Sequence, residues 1–140
     1  MQATAICATA IAAIAVGVPL HAEDARKTVI AGRCEYSDQV ARYRDETTLV
    51  LCDTLKIDRS TTLTTLDFSR RSWGSMARFT GDMSGDRMTV SRITLRNGRD
   101  IAATGTCQIY YRSDGSLSVI SCLAKAGSRP IAANFVPSRV

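Results

Sequence analysis

The chain has 140 residues, with 18 Lys and Arg against 13 Asp and Glu, a formal net charge of +5. That length suits one domain whose core is just large enough to fold alone, and the excess of base favours anionic partners over basic ones. The single histidine is His21, so a domain that begins after it has no imidazole for Ser-His-Asp or Cys-His catalysis or for a His-rich zinc site.

Residues Ala3 to Leu20 carry no charge and are rich in Ala. They are short for a membrane span, which wants roughly 20 strongly apolar residues. Pro19-Leu20-His21-Ala22 and then the charged run Glu23-Asp24-Ala25-Arg26-Lys27 follow. This pattern predicts a secretory signal peptide over 1–22, cleaved after Ala22, and a single domain over 23–140 that is periplasmic or secreted. Four cysteines remain beyond the leader, Cys34, Cys52, Cys107 and Cys122. An even number in a short exported chain, with no Cys-x-x-Cys spacing, predicts two disulfides rather than a metal or redox site.

Thr28–Tyr36 alternates, with Ile30, Gly32, Cys34 and Tyr36 on one face, and predicts a first strand. Ser37–Arg44 is the one mildly helical stretch, with Ser37 or Asp38 able to cap it. Thr47–Ile57 predicts a strand with Leu49, Leu51, Leu55 and Ile57 on a common face. Asp53 interrupts that face and calls for a bulge or an Arg partner. Thr61–Phe68 follows, and then a run in which Trp73, Ser75, Ala77 and Phe79 share a face, which places Trp73 in the core. Gly81–Asp86 is expected to be a plain hairpin connection.

Asn97-Gly98 and Asp114-Gly115 lie between β-favouring runs. Each predicts a two-residue hairpin turn with positive φ angles, joining strands at about 87–96, 99–112 and 116–125. If Asp114-Gly115 is the whole loop, facing residues have position numbers that add to 229, and Cys107 and Cys122 do so. They would then stand directly opposite, within bridging distance. Cys34–Cys52 follows by elimination, in a loop whose closure is worth roughly 3 kcal/mol. Ile131–Val136, between Pro130 and Pro137, makes a last strand. Seven or eight short strands at this spacing predict an all-β fold, either a small antiparallel barrel or a meander-rich sandwich.

No catalytic, cofactor or metal-binding motif occurs, and nucleic acid is not indicated. Paired carboxylates, through glycan hydrolysis, or a lysine base remain the enzymatic routes, but nothing in the spacing of the acids marks such a pair, and the three lysines, Lys27, Lys56 and Lys125, form no Ser-x-x-Lys motif. Two stretches combine Arg with aromatic rings, a combination suited to contact with anions and protein surfaces. They are Arg42-Tyr43-Arg44, inside the expected Cys34–Cys52 loop, and Arg70-Arg71-Ser72-Trp73, with Arg78 beyond. The expectation is an exported, non-catalytic binding module whose partner is an anionic envelope polymer or an acidic protein. The alternatives are a structural or assembly component of the envelope, or a carboxylate-dependent enzyme.

Overall fold

The computed structural model describes residues 26–139; the leader predicted over 1–22 lies outside them. Nine strands and one turn of helix follow in order: β1 Lys27–Cys34, α1 Asp38–Ala41, β2 Thr48–Leu49, β3 Thr54–Asp58, β4 Thr64–Arg70, β5 Gly74–Ser84, β6 Arg87–Leu95, β7 Asp100–Tyr111, β8 Leu117–Ala126 and β9 Arg129–Pro137. From β3 to β9 each strand pairs antiparallel with the next, and β1 joins β3 to β9. The result is a closed eight-stranded antiparallel barrel, which decides between the two architectures the sequence left open. Closure removes the long unpaired edges an open sheet would carry.

Period-2 alternation sorts the side chains. Leu55, Leu66, Phe68, Phe79, Met88, Ile93, Ile120 and Phe135 point inward and are fully buried. Each contributes roughly 1.5–3 kcal/mol by leaving water. Phe68 and Phe79 meet edge to face, with ring centroids 5.5 Å apart. The outward set includes Lys56, Arg78, Asp82, Arg92, Thr104 and Lys125, the reverse of a lipid-facing barrel wall. No helix among the described residues is long and apolar enough to cross a membrane.

The seam between β1 and β9 is short, spanning only Gly32↔Pro137, Arg33↔Val136 and Cys34↔Phe135. One more residue stays joined, with Glu35 N–H donating to Asn134 O and Asn134 Nδ2 donating to Glu35 O, before the two segments part and the chain returns to fill the gap. β2 pairs parallel with β9 through Thr48↔Ile131 and Leu49↔Ala132. The Cys34 and Gly32 amides then donate to the carbonyls of Cys52 and Asp53. The predicted strand 47–57 is therefore two strands with a crossing between them. Val50 and Cys52 turn inward there and Leu51 turns out, which breaks the expected common face. Tyr36 locks the crossing: its hydroxyl lies 2.5 Å from the Val50 carbonyl oxygen and 3.0 Å from that of Ala132.

Both predicted disulfides form, Cys34–Cys52 and Cys107–Cys122. The β7–β8 register holds the sum of 229 from Ala103↔Ala126 to Tyr110↔Val119. The turn itself differs from expectation. Arg112 N–H donates to Ser116 O and Gly115 N–H to Arg112 O, so the loop has three residues, Ser113–Gly115, and the count drops by one. An extra residue, Ser118, between Tyr110↔Val119 and Tyr111↔Leu117 restores it. The Cα separation of 4.0 Å is that of a non-hydrogen-bonded pair, whereas counting outward from a two-residue loop would have made it a hydrogen-bonded one. The Asn97-Gly98 turn has the same three-residue form, with Gly98 N–H donating to Leu95 O. Only glycines take positive φ among the described residues, so the two-residue turns expected at both sites, which need positive φ at Asn97 and Asp114 as well, do not form.

Candidate functional site

Up-and-down connectivity sends alternate hairpins to opposite ends of the barrel. One end gathers the 35–47 segment, the β4–β5 hairpin, the β6–β7 hairpin and the β8–β9 turn. β5 and β6 are adjacent, with Ala77 opposite Leu95, so the hairpins at 70–74 and 95–99 stand side by side.

The β4–β5 hairpin closes early. Arg70 pairs with Gly74, Trp73 N–H donates to Arg70 O, and Gly74 has a φ of 84°, a conformation costly for other residues. β5 begins one residue after Trp73, so the expected alternation with Phe79 stops short of it. The indole is 53% exposed at the loop tip, which corrects the core placement read from the sequence. Two guanidiniums lie over its ring, with Cζ of Arg96 4.3 Å and Cζ of Arg70 5.3 Å from the centroid. Both distances are within cation–π range.

Asp53 anchors this hairpin from the barrel seam. Its Oδ1 accepts from the Arg71 backbone N–H at 3.0 Å and from Thr54 Oγ1 at 2.9 Å. The Thr54 hydroxyl, then the Arg71 amide and the charges of Arg71 and Arg70, hold its carboxyl below the usual carboxylate range. The residue that seemed misplaced on a strand face is thus a fastening between the seam and an arginine-bearing tip. On the neighbouring tip Asn97 Oδ1 accepts from Arg99 N–H at 3.0 Å, and Thr94 Oγ1 donates to Asp100. Among the described residues ion pairs form only between Arg33 and Glu35 and between Arg78 and Asp67. Arg70, Arg71, Arg96 and Arg99 therefore occupy two adjacent tips without a carboxylate at ion-pair distance.

The seven residues singled out from the sequence fall into separate places. Arg70 and Trp73 meet, with Arg71 on the same tip, and the structure adds Arg96 over the ring and Arg99 on the neighbouring tip. Arg78 stands on the outer wall in a ladder running Lys56↔Asp67↔Arg78. Its Nη2 lies 3.3 Å from Asp67 Oδ2. Arg42 and Arg44 line a shallow depression with Asp38 and Asp45, in a segment whose acids outnumber its bases. Tyr43 turns the other way, into an open groove of about 540 Å³ between the 36–47 segment and the outer face of β8 and β9, where Val40 and Leu123 are also exposed. Ser37 caps α1 as expected, accepting from Val40 N–H.

Two carboxylates do share a concavity. Asp58 and Asp67 line a hollow of about 380 Å³ on the outer wall with Lys27, Lys56 and Arg78. Glycoside hydrolysis needs one carboxyl held protonated, with its pKa raised. The Ser60 hydroxyl and amide, then Lys27 and Arg78, push Asp58 the opposite way. Asp67 is occupied by Ser75 Oγ at 2.6 Å as well as by Arg78.

Arg96 was legible only as the residue before a turn dipeptide. Its place over Trp73 depends on the β5–β6 pairing, which local sequence does not encode. No protein-family model, no curated protein and no solved structure matches the chain.

Proposed function

We propose that this protein is an exported, non-catalytic binding module that engages an anionic partner outside the cytoplasm through the Arg70–Arg71–Trp73–Arg96–Arg99 rim. One observation carries the reading: an exposed indole lies beneath two guanidiniums that make no ion pair. An aromatic ring left in water at a hairpin tip adds nothing to the barrel's packing. Guanidiniums stacked on it keep their edge N–H donors free for an oxyanion. Export is supported by the uncharged 3–20 stretch together with two disulfides, which persist in oxidising compartments.

The test is retention on sedimented cell envelope. Wild-type protein should co-sediment, and an Arg70→Ala/Arg71→Ala variant should stay in the supernatant. Equal retention of the two proteins refutes the assignment of the rim. Intact-mass analysis of the native material should give a chain beginning at Glu23 with both disulfides closed; a retained leader or free thiols refute export by cleavage.

The reading as a structural or assembly component of the envelope draws on a different observation, the exposed Val40, Tyr43 and Leu123 of the β8–β9 groove. A monomer that cross-links to nothing in the envelope counts against it.

A further inference from the structure

We infer that the ligand of the arginine rim is a linear polymer carrying phosphate groups, a proposal that rests on the rim being an anion-binding surface. The guanidinium carbons of Arg70 and Arg96 lie 5.3 and 4.3 Å from the same ring centroid. They can be no further apart than those two lengths end to end. An upper bound of that size suits oxyanions repeated along one chain, each meeting one guanidinium. A carboxylate spends its two oxygens on a single guanidinium fork, whereas a phosphate has oxygens left for a second. All four cations on the two tips are arginines, and arginine stacks on a ring without losing its in-plane donors.

Exposure decides between a free ion and a polymer. Arg71, Trp73, Arg96 and Arg99 are all exposed at loop tips. A lone phosphate held there competes with water and salt for each contact. A chain laid across both tips makes several contacts in one binding event and releases counterions from its own length. Trp73 is a positioning residue: it holds Arg70 and Arg96 in place, and the phosphates meet the guanidiniums.

The test uses the full mature chain. Trp73 is the only tryptophan in the sequence, so its emission reports directly on the rim, and calorimetry run in parallel detects binding to which the emission is silent. The probes are long-chain polyphosphate, tripolyphosphate, orthophosphate and poly-glutamate of matched charge. Long-chain polyphosphate should bind about tenfold or more tighter, per phosphate, than tripolyphosphate, and tighter than poly-glutamate by a similar factor. Arg70→Ala/Arg96→Ala should weaken it about tenfold or more and flatten the salt slope by about 1 to 2. Arg59→Ala/Arg87→Ala, an equal loss of charge at the opposite end, should change it by less than about threefold. Trp73→Ala should weaken binding with every charge retained, and Trp73→Tyr should restore part of the loss.

Poly-glutamate binding as tightly, with the same dependence on Arg70 and Arg96, overturns the phosphate assignment and leaves the binding module standing. Orthophosphate matching the polymer overturns the chain. Equal effects of the two double variants, or no binding of any polyanion, overturn both the ligand and the rim.

Discussion

Tyr36 makes the barrel's stability fall in alkali, by an amount the structure sets. Its hydroxyl sits between the carbonyls of Val50 and Ala132, and burial, partly opposed by the Asn134 and Val50 backbone, pushes its pKa from 10.0 up to about 12. In the unfolded chain the phenol ionises near pH 10; in the barrel it holds its proton for about two further pH units. The contribution is therefore complete below pH 10 and is lost as pH climbs towards 12, because only the unfolded state gains from deprotonation. Two units correspond to about 2.7 kcal/mol, and the partial exposure of Tyr36 reduces this to roughly 1–2 kcal/mol. Urea unfolding followed by far-ultraviolet circular dichroism, from pH 9 to 12, should be run on wild type and on Tyr36→Phe. At neutral pH the variant should lose about 1–2 kcal/mol, since the Val50 carbonyl forfeits its donor while that of Ala132 keeps only the Val50 N–H. Subtracting the two curves removes every other titrating group, and the difference should shrink between pH 10 and 12. A difference that stays level or grows through that window refutes the role assigned to the hydroxyl.

The remaining predictions concern the seam, the sulfurs and the rim. At Gly32 a methyl group would meet the Val136 carbonyl and lie 2.5 Å from Cζ of Phe135, so Gly32→Ala should destabilise by about 1–3 kcal/mol in urea melts. Replacing Cys107 and Cys122 together by Ala opens a loop with a sequence separation of 15 and should cost about 3 kcal/mol, measured by thermal unfolding. Trp73→Ala should shift stability by no more than about 0.5 kcal/mol, because the indole packs into no core; a larger loss would mean that the tip supports the barrel. Asp53 has its pKa lowered from the usual 3.8. Its contribution is present above that value and disappears as pH falls through the lowered one, so Asp53→Asn should flatten the acid arm of a stability–pH curve below about pH 4.

How much of this was legible in the sequence depended on how far each feature reached along the chain. Turn glycines at 98 and 115, the alternation of β7 and β8, and the opposition of Cys107 to Cys122 are short-range, and local pattern carried them. Trp73 was misplaced because alternation was carried one residue past the start of β5, and nothing local announces that Arg70 pairs with Gly74. The break within 47–57 was hidden for a longer-range reason. β2 lies parallel to a strand more than 80 residues later, and a two-residue pairing leaves no periodicity to detect. The rim was half visible: Arg70, Arg71 and Trp73 are contiguous, while Arg96 joins them only through a neighbouring hairpin.

The β7–β8 hairpin keeps its sulfurs opposed through two irregularities that cancel, a third loop residue at the tip and the extra Ser118 in the strand. Its length is consequently a matter of parity. A graft, tag or deletion that alters Ser113–Gly115 by one residue must also remove or add a bulge below it, or one cysteine will be turned out of the barrel. Anyone borrowing this hairpin as a scaffold has to move the tip and Ser118 together.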